Sequence, residues 1–150
     1  MSRFHLSAHK SVHEAARELC SASELTEAGE STNKGINIST YEKRTIENTN
    51  LTVFENGGFV AVTGTLIING KMGGEALEPV YNTFTNGGAA TVRDQAFGHY
   101  AVIVNEGDQV TVFGDPNGIY EIYYTTQDNW VVSNSLHLCS SSLSEPTVRK

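Results

Sequence analysis

The sequence predicts an α+β domain, and three observations carry that reading. Short runs of alternating apolar residues occur from the first residues onward. Two stretches repeat apolar residues at three- and four-residue intervals, and the last third holds four strand-like runs separated by turn-forming residues. Helices set between strand runs imply two layers or a layered sandwich.

The elements follow in order. Residues 3–7 (RFHLS) alternate, with Phe4 and Leu6 on one side and Arg3 and His5 on the other, as a short strand does. A helix is expected from Ser11, whose spacing to Glu14 is that of a capping box; Val12, Ala15, Ala16, Leu19 and Cys20 form its apolar stripe. Residues 24–35 (ELTEAGESTNKG) are polar and predict a loop. From 36 to about 70 the pattern is strand, turn, strand: Ile36, Ile38 and Thr40 alternate, and apolar runs flank Asn56-Gly57-Gly58, a hairpin signal because those turn positions tolerate positive φ. Leu77, Val80, Tyr81 and Phe84 make one helical stripe, ended by Asn86-Gly87-Gly88; Pro79 fits only in that helix's first turn. A short helical piece over 89–96 leads to strand-like residues 97–105, 109–114, 119–125 and 130–133, predicted as a four-strand antiparallel meander.

At 150 residues the chain is long enough for one core and short for two, so residues 1–150 are expected to form a single domain, with a folded core at 1–143 and a polar tail at 144–150. The balance of 17 acidic against 10 basic residues argues against nucleic acid or an anionic membrane as a partner, since both need clustered Lys and Arg. No apolar run approaches the roughly 20 residues of a membrane helix, and the first ten residues lack the apolar centre of a secretory signal. Cys20 and Cys139 are too few for a disulfide framework or a four-cysteine zinc site. A cytoplasmic protein is the expectation.

Residues 97–138 (FGHYAVIVNEGDQVTVFGDPNGIYEIYYTTQDNWVVSNSLHL) join a small-residue strand, a turn, a strand, an Asp-x-x-Gly turn at Asp115 and Gly118, a strand ending Tyr123-Tyr124, and a strand running into Ser133, Asn134, Ser135 and Leu136. That order resembles the latter half of the class II glutamine amidotransferase domain, the N-terminal-nucleophile module at the front of asparagine synthetases. Upstream, Gly64-Thr65-Leu66-Ile67 resembles the strand ending at the family's oxyanion motif, and Gly74-Glu75 with Leu77 and Phe84 resembles the helix that follows. The resemblance covers roughly residues 50–140 and is closest to the β-lactam-forming members, β-lactam synthetase and carbapenam synthetase. It implies a four-layer α-β-β-α sandwich of mainly antiparallel sheets.

The family's glutaminase uses an N-terminal cysteine with its own α-amine as base, an Asn side chain and a Gly N–H for the oxyanion, and an Arg and an Asp for the substrate's charged ends. Here residue 2 is Ser2, Thr63 stands where the Asn would precede Gly64, and Gly73 stands at the Asp position two before Glu75. No Arg-Gly-Pro-like segment occurs between 35 and 70, where Arg44 stands alone. The resemblance therefore implies a catalytically silent domain. It would have a structural or interaction role beside an asparagine-synthetase-like ATP-dependent amide-forming domain or subunit, or would self-associate. No cofactor is expected in this chain, since the partner domain's Ser-Gly-Gly-x-Asp-Ser phosphate loop is missing from these residues.

Two other readings stand beside it. Ser2, exposed by methionine removal, is a weak catalytic candidate for an N-terminal-nucleophile amidohydrolase. The alternative is a free-standing binding module unrelated to synthetases. The four-residue spacing of His5, His9 and His13 resembles zinc ligation, but a strand-to-helix break between them predicts solvent-facing histidines, a buried Cys20 thiol and no metal. His99 and His137 are expected to be packed or hydrogen-bonded. Asp115 lacks the spaced oxygens of a calcium loop and is expected to accept N–H groups in its own turn.

Overall fold

A computed structural model describes residues 2–43, 49–126 and 129–141. In chain order these contain β1 (Arg3–Ser7), α1 (Lys10–Ala22), β2 (Leu25–Asn33), β3 (Ile36–Lys43), β4 (Leu51–Val53), β5 (Phe59–Ile68), β6 (Lys71–Met72), α2 (Gly74–Gln95), β7 (Ala96–Glu106), β8 (Gln109–Gly114), β9 (Tyr123–Tyr124), β10 (Val131–Ser133) and α3 (Leu136–Ser140). The class is mixed α and β, with two antiparallel sheets. The first runs β2-β3-β1-β10-β9; the second runs β4-β5-β7-β8, with β6 paired to the end of β5.

Alternation along the strands builds the core. Phe4, Leu6 and Ile38 of the first sheet cluster with Phe59, Ala61, Ala101 and Ile103 of the second, so these faces meet. The other face of the second sheet, with Val60, Val62, Leu66 and Ile68, packs on Ala76, Leu77, Val80 and Tyr81 of α2. Ala16 and Cys20 of α1 and Leu138 of α3 close over Leu25 and Tyr41 on the other side of the first sheet. Because β5 is buried on both faces, its opening FVAV has no polar alternation. A side chain such as Leu77, 1% exposed, contributes roughly 2 to 3 kcal/mol by leaving water.

Several sequence expectations are corrected. Residues 24–35 are not a loop: most of them form β2, an edge strand joined to β3 through Lys34-Gly35, both at positive φ. Its polar run fits an edge that faces solvent along much of its length. The first helix begins at Lys10 with His9 at the cap position and no side-chain cap, and its buried residues are His13, Ala16 and Cys20. The predicted stripe was therefore misphased, with Val12 only half-buried. Pro79 lies in the second turn of α2, not the first; burial of the flanking Leu77 and Val80 holds the helix through it. The break expected at 86–88 is present: Gly88 (φ 74°, ψ −174°) is non-helical and divides α2 into two pieces, the second being the short helical piece expected over 89–96.

The predicted meander is also divided. β7 and β8 pair in the second sheet, whereas β9 and β10 pair in the first. The chain crosses between sheets at 115–122, and most of predicted strand 119–125 is spent on that crossing. Arg44 and the predicted tail at 144–150 lie outside the described residues.

Candidate functional site

β1 begins beside Ser2, and alternation puts Ser2 on the same inter-sheet side as Phe4 and Leu6. Its partner across the gap is Gly64 of β5, whose N–H donates to Ser2 Oγ at 2.7 Å. Gly64 adopts φ +90°, and a Cβ there would stand 2.3 Å from the His99 carbonyl oxygen and 2.8 Å from the Tyr120 ring. Only glycine permits this approach. The backbone of residue 2 is clamped as well: Ser2 C=O accepts from Tyr120 Oη (2.9 Å) and Asn134 Nδ2 (2.8 Å). Asn134 also donates to Tyr120 Oη (3.0 Å) and takes the Phe4 N–H on its Oδ1 (2.9 Å). Tyr120 Oη lies 3.3 Å from Ser2 Oγ.

On the same side of the first sheet, Thr40 and Glu42 follow Ile38 at two-residue steps. Thr40 donates to Asn50 Oδ1 at 2.5 Å, and Asn50 Nδ2 donates to Glu42 Oε1 at 3.3 Å. Burial raises the Glu42 pKa above the ordinary carboxylate value, opposed by the Asn50 hydrogen bond and by that from Ser2.

A cavity of about 410 Å³ opens against this constellation. Thr49, Asn50, Gly64, Thr65, Gly73 and Gly74 supply its polar wall, while Val62, Leu66, Ala76, Leu77 and Met72 supply its apolar floor and lip. No charged side chain is among the described lining residues. Gly64 joins the two features, since it lines the cavity and bonds Ser2. Gly73 is the residue before α2, at φ 58°, so a side chain at this position is strained. Thr63 does not line the cavity; it is fully buried, and its hydroxyl has no hydrogen-bond partner among the described residues.

Of the positions that the resemblance singled out, Gly64 and Gly73 thus line one cavity, Ser2 is tied to it through its bond to Gly64, and Thr63 is not among its lining residues. Tyr120, Asn134, Asn50 and Glu42 were not anticipated as site residues. A signal for Glu42 existed: the Ile38, Thr40, Glu42 alternation puts it on the buried side. Tyr120 and Asn134 act through long-range contacts that no local pattern reports.

The remaining candidates lie elsewhere. The Asp115 carboxylate accepts N–H groups from Asn117 (3.0 Å), Ile119 (3.4 Å) and Tyr120 (3.1 Å), and the Gly118 N–H closes the turn on the Asp115 carbonyl. Burial pushes the Asp115 pKa up, but these three donors outweigh it and leave the pKa lowered. The turn also positions Tyr120 against Ser2. His99 and His137 are exposed rather than packed. His5 and His13, expected in solvent, are buried at 0% and 3% exposure, because α1 is rotated so that His13 faces the sheet. Cys20 is buried as expected, and burial raises its thiol pKa to about 11.

No protein-family model and no curated protein sequence matches this chain.

Proposed function

We propose that the chain is a catalytically silent glutamine amidotransferase-like domain of the four-layer, N-terminal-nucleophile type. Its role is to pack beside an asparagine-synthetase-like amide-forming domain or subunit. The succession of helix, two facing sheets and helix supports the architecture, and the antiparallel topology is compatible with it. One observation carries the silence: the Gly64 N–H, which the resemblance assigns to an oxyanion, is already spent on Ser2 Oγ. The described cavity wall, which carries no charged side chain, agrees, since a free amino acid needs partners for both its carboxylate and its ammonium group.

The test is ammonia release from glutamine by the wild type and by Ser2→Ala. Both are expected at background. Glutamine turnover in the wild type that disappears in Ser2→Ala overturns the proposal. It would favour the second reading, an amidohydrolase with Ser2 as nucleophile and its freed α-amine as base, for which the cavity beside Gly64 is the supporting observation. Intact mass separates the two early, because a retained Met1 blocks that amine.

A further inference from the structure

The seam between α1 and the first sheet is apolar at Ala16, Cys20 and Tyr41, but polar at one point. There His5 Nδ1 of β1 lies 3.4 Å from His13 Nδ1 of α1, and His13 Nε2 lies 2.7 Å from Ser39 Oγ of β3. Ser39 Oγ donates to Glu27 Oε2 of β2 at 3.4 Å, and Arg17 of α1 holds Glu27 (2.9 Å) and Glu30 (2.5 Å). One set of neutral tautomers satisfies this chain: His5 donates from Nδ1 to His13 Nδ1, His13 donates from Nε2 to Ser39, and Ser39 donates to Glu27. The nitrogen left over is His5 Nε2, buried without a partner among the described residues.

We infer that the His5–His13 pair is a proton-operated latch that holds α1 on the sheet while neutral and releases it when both rings are charged. The surroundings decide the order of protonation. Burial lowers the His13 pKa, helped by Arg17 on α1, while from β2 Glu30 (3.6 Å from His13 Nε2) and Glu27 oppose that shift without reversing it. From β3 the neighbours are Ser39 and the uncharged Tyr41; across β1, His5 faces Ser39 on one side and Ser133 of β10 on the other. A first proton is tolerated: His13 then donates from Nδ1, His5 accepts, and the shared bond reverses. A second proton leaves two Nδ1–H donors facing each other across 3.4 Å with no acceptor between them. Burial, followed by the nearby His13 charge, holds His5 neutral in the fold, so that proton enters only as the seam opens. A metal is not the better reading, since no third His, Cys, Asp or Glu completes a ligand set among the described residues.

Hydrogen exchange followed by mass spectrometry, corrected for intrinsic rates, tests this on the intact chain between pH 7.5 and 4.5. Protection in residues 10–22 is expected to fall by about tenfold or more beyond any fall in 59–68 and 96–106, and this excess is expected to shrink in His13→Gln. Unchanged protection of 10–22, loss in all elements together, or the same midpoint in a folded His13→Gln each overturns the latch. If His13→Gln does not fold, the wild-type profile alone decides.

Discussion

At Gly64 the requirement is steric, and its consequence can be measured. Gly64→Ala puts a Cβ against the fixed carbonyl of His99 at a φ that L residues rarely adopt. The expected outcome is a loss of about 2 to 4 kcal/mol in urea unfolding, with the Ser2 contact broken. Thr63 gives the opposite sign. Its buried hydroxyl bonds nothing among the described residues, so Thr63→Val is expected to stabilise by about 1 kcal/mol in the same assay. Asp115→Ala strands three N–H donors and is expected to cost about 2 to 3 kcal/mol. Individual residues were unevenly legible. Asp115 was foreseen because its partners lie within five residues, whereas the clamp on Ser2 spans 118 and 132 positions and leaves no mark in a local pattern.

Among the elements, strands buried on one or both faces were the easiest to anticipate. β5 and β7 announced themselves because two-sided burial demands apolar runs. β2 did not, since an edge strand with one neighbour needs little apolar character, and β9 with β10 was assigned to the wrong sheet because pairing depends on where a crossing turn delivers the chain. The phase of α1 was missed for a different reason: a histidine, rated polar, occupies a buried position through the partners it finds there. Pro79 shows tertiary packing overriding local preference. Its ring removes an N–H that would reach the Glu75 carbonyl, so Pro79→Ala is expected to stabilise by about 1 to 3 kcal/mol, read as a raised midpoint in thermal unfolding.

For the molecule as a whole, acid is the informative variable. The His5 pKa falls from 6.5 to about 3 on folding, so the unfolded chain binds the extra proton. Its contribution is complete above pH 6.5 and is lost progressively as pH falls from 6.5 toward about 3. At pH 4.5 the expected loss is about 2 to 3 kcal/mol, seen as a sloping urea midpoint that flattens in His5→Phe. Asp115 adds to the same trend at lower pH: its pKa is lowered by folding, so its stabilisation is present above the unfolded value and fades as the carboxylate protonates. The double burial of β5 has a last consequence. Its alternate side chains belong to two cores at once, so neither core can melt while the other persists. Heat should therefore dissolve both in one event, with calorimetric and van't Hoff enthalpies equal for that step. A strand that serves two masters makes the body of the protein a single cooperative unit, with α1 left outside it as the part free to move alone.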